Sequence, residues 1–365
     1  MVTKYRAGII GCGSIAHAHA LGYEALPERV EIVAIADPVP AALQEFGTRH
    51  GIEKQYTDAR QMLDEEALDI VSNATWHKLH APMTISACAS RPQAVLCEKP
   101  MATNLGECDE MLVAARRNNV KLAIAHQRRF NAAWNEAKRL VADGAIGLPL
   151  HIIAKGGQGL LNDCSHYLDM MRYVVDANAV WVMGNVERKT DRLERGVRIE
   201  DRSHGLIQFD NGCLGLLLQE LQERNYPGRT FHGQGGLING SEGTLEFDEN
   251  MIRLLNGSTG GWEERDVTGE DASIGQAREL VQWLDGDIEI HRGEGQNGRA
   301  AIEIIMAIYE SARRHEVVQL PLRTMCSPLD VMIDAGDLPV ERPGEYDIRN
   351  FLLRGEQMRD EPNAG

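Results

Sequence analysis

Apolar residues in the first third of the chain come in short unbroken runs, at 5–10, 30–36, 68–74, 94–97 and 121–125. Stretches with a helical period separate them, at 14–26, 39–50, 58–63, 80–89 and 104–118. A strand that is apolar on both sides must be covered on both faces. Continuous apolar strands alternating with helices therefore predict a parallel sheet between two helical layers. Crossovers between parallel strands are right-handed, which makes the doubly wound α/β fold the leading choice.

The pattern changes after residue 125. A helix at 132–142 runs into Asp143-Gly144, the turn-rich Ile146-Gly147-Leu148-Pro149 follows, and a second helix is predicted over 162–175. Strand-like runs follow at 179–185, 205–209, 213–219, 235–239, 244–247 and 251–255. Asp210-Asn211-Gly212, Ser241-Glu242-Gly243 and Asn256-Gly257 read as hairpin turns between them. These features predict an α+β domain with a large open, mostly antiparallel sheet, completed by helices at 273–284 and 298–314. The remainder, with Pro328, Pro339 and Pro343 and little periodicity, reads as an extended C-terminal tail. The expected division is 1–125, 126–322 and 323–365.

A chain of 365 residues fits two domains. Its net charge of −16 argues against nucleic acid or an anionic membrane as the main partner, because phosphate neutralisation needs a basic surface. The seven cysteines are odd in number and contain no CxxC pair, a usage that fits reduced thiols. No charged-then-apolar leader is evident, and no run reaches the roughly 18 apolar residues of a membrane span, so the expected location is the cytoplasm.

The first candidate chemistry follows the first strand. Gly11-Cys12-Gly13-Ser14-Ile15-Ala16 opens a helix, and Asp37 ends the next strand, 21 residues past Ala16. In a dinucleotide-binding turn Gly11 permits the tight bend, Gly13 admits a pyrophosphate, and Ala16 allows close helix–strand packing. The helix start at Ser14 and Ile15 offers unpaired N–H groups to phosphate. Asp37 can accept from both ribose hydroxyls and would repel a 2′-phosphate, which predicts NAD over NADP. The bland alternative is a helix start whose glycines only permit the turn.

Glu98-Lys99-Pro100 follows a buried strand, where ligands of an open parallel sheet sit. Position alone favours a surface lysine; the functional alternative is an ammonium that orients an alcohol oxygen or exchanges a proton with it. Asn162, His166 and Asp169 fall at i, i+4 and i+7 of the predicted helix and would share a face, with Asp163 beside them. His166 reads either as a proton acceptor for a secondary alcohol or as a packed histidine. A metal set of Asp163, His166 and Asp169 is less favoured, because no zinc-type spacing accompanies it. No metal is expected.

With these segments the chain resembles the glucose–fructose oxidoreductase / inositol dehydrogenase / MocA family of nicotinamide-dependent oxidoreductases. The markers are GIIGCGSIA at 8–16, ADP at 36–38, NATWHKLH at 73–80, CEKPMA at 97–102, HQRRFNAAW at 126–134, GAIGLPLHI at 144–152, SHYLDMMRYV at 165–174 and INGSEGTLEFD at 238–248. The resemblance implies an N-terminal Rossmann domain and a C-terminal α/β domain whose sheet forms an oligomer interface, as homodimer or homotetramer. It implies catalytic roles for Lys99 and His166. It places Thr75, Trp76, His77 and His80, with Glu98, near the cofactor, and Arg128 near the nicotinamide or substrate. Asn162 stands where the family has an aspartate, so the proton relay would rest on His166 and Lys99, with Asn162 holding a substrate hydroxyl and Asp163 beside it. The implied activity is hydride transfer between NAD and a secondary alcohol of a sugar, glycoside or cyclitol. Two other readings share the fold: a glycosidase that oxidises, eliminates and re-reduces with bound NAD, and a non-catalytic sugar- or NAD-sensing regulator.

Overall fold

The structure is a computed structural model that describes residues 4–156, 159–220 and 235–347. Six parallel strands make the first sheet: β1 (Tyr5–Ile10), β2 (Val30–Ala36), β3 (Lys54–Tyr56), β4 (Ile70–Asn73), β5 (Ala94–Glu98) and β6 (Lys121–Ala125). Their spatial order is β3-β2-β1-β4-β5-β6. The order reverses between β1 and β4, and a ligand crevice opens at such a switch point, beyond the carboxyl ends of the strands. Helices α1 (Ala16–Glu24), α2 (Pro40–His50), α3 (Ala59–Glu65), α4 (His77–Ala89) and α5 (Leu105–Arg117) connect the strands. The continuous apolar runs are explained by burial on both faces: Ile9, Ile35, Ile70, Val71, Val95 and Leu96 are all buried. Local caps set some of the helix starts. Asp58 accepts from the Arg60 N–H before α3, and Asn104 accepts from the Glu107 N–H before α5.

After α6 (Ala132–Ala142) the chain enters β7 (Pro149–Gly156), then α7 (Ser165–Val175). The strands β8 (Ala179–Glu187), β9 (Thr190–Glu194), β10 (Val197–Arg198), β11 (Arg202–Phe209), β12 (Leu214–Glu220), β13 (Gly236–Gly240), β14 (Gly243–Phe247), β15 (Met251–Asn256) and β16 (Glu263–Asp266) follow. Then come α8 (Ala272–Asp285), α9 (Gly295–Arg314), β17 (Val318–Gln319), α10 (Pro328–Ala335) and β18 (Arg342–Asp347). Nine of the strands form an open sheet in the order β16-β15-β14-β13-β7-β12-β11-β8-β17. Its described pairs are antiparallel except β7 with β12.

One face of this sheet packs on α7 and α9, which bury Ile207, Leu217 and Ile238 in a shared core. On the other face Leu214, Leu216 and Leu218 are half-buried and Met183 is 54% exposed. α8 returns to the first sheet. Its Ala277, Leu280 and Trp283 join Tyr5, Ala7 and Leu96 in one cluster. No helix of the described residues is long and apolar enough to cross a membrane.

Three expectations change. The predicted helix over 162–175 begins later: Gly159–Cys164 is a turn of π-helix, and α7 proper starts at Ser165. Asn162 therefore precedes the helix face that carries His166, because the wider turn rotates it out of the i, i+4 register. The turn-rich stretch ending at Pro149 leads directly into β7, a central strand of the large sheet. The supposed extended tail contains α10, started by Pro328 at its first turn and capped by Ser327, which accepts from the Asp330 N–H. The tail also supplies β18, which runs parallel to β9 with Arg342 opposite Thr190 and Asp347 opposite Leu193. Residues 348–365 of that tail lie outside the described residues.

Candidate active site

The loop after β1 has the backbone that a dinucleotide turn requires. Gly11 has φ +93°, and a Cβ there would lie 2.7 Å from the Ala74 carbonyl oxygen, so glycine is demanded. At Gly13 an added Cβ would meet nothing within 4 Å, which leaves open space against the loop and the start of α1. Asp37, at the end of β2, is buried beside this loop. Its Oδ2 accepts from the Cys12 N–H (2.8 Å) and its Oδ1 from the Val39 N–H (2.8 Å). Each oxygen keeps a second lone pair for a ribose hydroxyl. Ser14 is exposed and Ile15 half-buried at the mouth of the loop. The cradle fits a nicotinamide dinucleotide: Gly11, Gly13, Ser14 and Ile15 would face its phosphates and Asp37 its ribose.

The loop after β4 forms the next wall. Thr75 donates through its hydroxyl to Asn73 Oδ1 (2.6 Å), and Thr75 and Trp76 are half-buried. His80 is fully buried, with Nδ1 2.6 Å from the Pro100 oxygen and Nε2 3.0 Å from the Thr75 oxygen. It ties the loops after β4 and β5 together and presents no free nitrogen to the crevice. His77 Nε2 lies 3.2 Å from Arg195 Nη1. Glu98 is buried too. Burial pushes its carboxyl up, but the His19 hydrogen bond (3.0 Å) and the nearby charges more than offset this, so its pKa is held below the usual range. His19 in turn lies 3.1 Å from the Ser72 hydroxyl, so it is a buried packing residue.

Lys99 reaches across the crevice. Its Nζ donates to Asn162 Oδ1 (3.0 Å) and to the Asn162 carbonyl oxygen (3.2 Å), joining the end of β5 to the π-helical turn. Burial pushes the ammonium down to about 8; Glu98 and Asp163 act against this, and Arg195 and Arg128 add to it. The other face of the Asn162 amide donates to Glu194 Oε1 (2.7 Å). His166 is 4% exposed and its Nδ1 has no hydrogen-bond partner. Burial, and then the charges of Lys99, Arg128 and His126, hold it well below the ordinary histidine value. It is therefore neutral across the physiological range. The His126 ring stands edge-on to it, centroids 5.8 Å apart. Arg128 has a buried Nη1 without a partner. Asp163 is half-buried, and its charge acts on both Lys99 and Arg128.

Buried polar atoms without partners are uncommon, and His166 Nδ1, His126 Nδ1 and Arg128 Nη1 gather here. The structure thus brings together Lys99, Asn162, His166, Arg128 and Asp163 as a set. Asp169 is placed differently from the metal alternative, because both its oxygens accept from Arg129 (2.7 Å each). Among the described residues no group of three or more His, Cys, Asp or Glu is arranged to hold a metal ion. Sequence reasoning missed Glu194, Arg195 and His126. The first two sit on a short hairpin that carries no apolar period to announce it.

Residues 5–126 match the oxidoreductase family described by its NAD-binding Rossmann fold, and residues 154–320 match the C-terminal α/β domain of the same family. The chain is 25% identical over 354 residues to D-apiose dehydrogenase of Paraburkholderia graminis, covering 87% of this chain and 90% of that one. It is 27% identical over 226 residues to myo-inositol 2-dehydrogenase of Thermotoga maritima, covering 58% and 67%. A levoglucosan dehydrogenase solved with NADH and levoglucosan shares the fold at TM-score 0.77 and 22% identity, covering 88% of this chain and all of that one. Two consecutive domain matches, in the order and at the positions of the two sheets, lead to one conclusion: the chain belongs to the glucose–fructose oxidoreductase / inositol dehydrogenase / MocA family of oxidoreductases.

Proposed function

We propose that this protein is an NAD-dependent dehydrogenase or reductase acting on a secondary alcohol or ketone of a sugar, glycoside or cyclitol. The observation that carries it is the meeting of Lys99, at the end of a strand of the sheet that carries the dinucleotide loop, with Asn162 of the π-helical turn and a neutral His166 of α7 whose Nδ1 has no hydrogen-bond partner. In this reading residues 1–125 hold the cofactor and 126–322 supply the substrate wall, while the described part of the tail adds β18 beside β9 of the hairpin. A bound nicotinamide supplies the hydride acceptor, or in reverse the donor. His166, neutral, takes the hydroxyl proton, and Lys99 donates a hydrogen bond to the same oxygen. Asn162 holds Lys99 in place, and Arg128 offers its free Nη1 to a neighbouring substrate oxygen. The test is a screen of sugars and cyclitols for NAD reduction, read by NADH absorbance, with a tail-truncated control. Turnover of none of them by the full chain sinks the reading.

NAD should bind at least ~10-fold more tightly than NADP, about 1.4 kcal/mol, because Asp37 meets a 2′-phosphate with like charge and Pro38, not arginine, follows it. Comparable dissociation constants in a titration count against this.

The half-buried leucines on the open face of the nine-stranded sheet support a homodimer or homotetramer, since an apolar sheet face needs a cover. Light scattering at micromolar concentration should give a multiple of 40.4 kDa, and the monomer mass rules the assembly out. Seven free cysteines, six of them buried, fit a reducing cytoplasm.

A further inference from the structure

A side-chain amide has an oxygen on one side and an NH2 on the other, and either could face a neighbour. At Asn162 the choice decides whether Lys99 meets an acceptor or a donor. The oxygen faces Lys99 Nζ at 3.0 Å, and the NH2 faces Glu194 Oε1 at 2.7 Å. A carboxylate has no hydrogen to give and an ammonium has no lone pair. Rotating the amide would set oxygen against carboxylate and N–H against ammonium, two repulsive contacts in place of two attractive ones. In a buried setting such contacts are not screened by water.

Glu194 is in place because of the hairpin that carries it. It ends β9, pairs with Val197 of β10, and precedes a two-residue turn at Arg195 (φ +48°) and Gly196 (φ +74°). Positive φ at both central residues is the turn geometry whose twist matches a tight hairpin. The turn sends Arg195 to His77 while Glu194, only 1% exposed, points to Asn162. Burying a carboxylate is costly without a polar partner.

We propose that Glu194 is a positioning residue of the site: by accepting from the Asn162 amide it fixes the amide oxygen on Lys99, and so fixes where the ammonium stands. The proposal rests on the oxidoreductase reading above for its kinetic consequence and on geometry alone for its effect on Lys99. The charged and titratable groups around that ammonium are Glu98 from β5, Arg128 and His126 from the segment after β6, Asp163 and His166 from the π-turn and α7, and Arg195 from the hairpin. Glu194 acts on it through the amide.

The test uses Glu194→Ala, Glu194→Gln, Asn162→Asp and the pair Asn162→Asp with Glu194→Gln in the full chain. Two readouts are taken: kcat and KM in the NAD-coupled assay, and the pH midpoint of Lys99 acetylation by acetic anhydride, read by mass spectrometry without substrate. Glu194→Ala should lower kcat by about tenfold to a hundredfold, the scale of a small misplacement. NAD affinity should stay close to wild type, and the Lys99 midpoint should move down. Glu194→Gln can still accept through its own amide oxygen and should lose less than Glu194→Ala. Asn162→Asp sets two carboxylates against each other and should lose activity, and adding Glu194→Gln should recover part of it, because amide and carboxylate have exchanged places. An unmoved midpoint and unchanged kcat in Glu194→Ala overturn the proposal. So does a double variant no better than Asn162→Asp alone, which still decides the matter if Glu194→Ala fails to fold. If the wild type turns over no substrate, the oxidoreductase reading fails, and the Lys99 midpoints still decide the positioning role.

Discussion

Replacing His166 by alanine should lower turnover by about 10²–10⁴, the usual worth of positioned acid–base catalysis, while NAD affinity stays close to wild type. The two readouts separate because they depend on different parts of the chain. The dinucleotide loop and Asp37 belong to β1 and β2, whereas His166 belongs to α7. Lys99→Ala should also cut turnover sharply. Asp163→Asn should matter much less, since Asp163 acts on Lys99 and Arg128 through its charge and stands beside the pair rather than in it. The pH profile gives the sign. His166 is held well below its ordinary value, so its limb lies on the acid side of that value. Lys99 loses its proton at about 8. The rate of alcohol oxidation should therefore fall above that pH as the orienting ammonium is lost, and Lys99→Ala should erase the limb. A rate that climbs through the same pH would make Lys99 the base. EDTA should leave activity intact. Near-normal turnover in His166→Ala, or loss with chelator, would mean that the roles are wrongly assigned.

The second large effect is on stability. Asp169→Ala should cost about 3–5 kcal/mol, because it removes one half of a buried ion pair and leaves the Arg129 guanidinium uncompensated. Both oxygens of Asp169 accept from Arg129, whose guanidinium also lies 4.8 Å from the centre of the Tyr173 ring. Burial pushes the Asp169 carboxyl up, but the Arg129 charge, then His126 and the paired hydrogen bonds, more than offset it, so its pKa lies below the usual value. A depressed carboxylate stabilises the fold fully above the ordinary aspartate value of about 4 and loses that contribution as pH falls through the folded value. Denaturant unfolding followed by tryptophan fluorescence should show the deficit at pH 7 and a smaller one in strong acid. A loss under about 1 kcal/mol at pH 7 would show that the pair does not hold α7 to the segment after β6.

What the sequence disclosed was local. The dinucleotide loop is contiguous, with its strand, its glycines, its helix and the aspartate of the next strand all inside one βαβ unit. Lys99 also follows a buried apolar strand, but position alone favoured a surface lysine there, and only the family resemblance pointed it at the crevice. β3 was not, because two of its three residues are exposed at a sheet edge and leave no apolar run. β7 was hidden by the glycine before it and the proline that begins it, although Ile152 and Ala154 are buried. The start of α7 was misread because residues 159–164 carry a helical pattern that a π-turn satisfies equally well. Glu194 and Asn162 lie 32 residues apart and Arg129 and Asp169 lie 40 apart. No periodicity couples such positions; only the packed sheet and the hairpin bring them together.

The hairpin that carries Glu194 and Arg195 is completed by β18, the strand formed by residues Arg342–Asp347. The ribosome makes the dinucleotide-binding sheet early and this strand late. Domains fold in the order of their synthesis, so a nascent chain can close its cofactor loop well before the wall opposite Lys99 has its third strand. A chain cut short before Arg342 would keep Lys99, Asn162, His166 and Glu194 and lose the strand that flanks the hairpin on its β9 side.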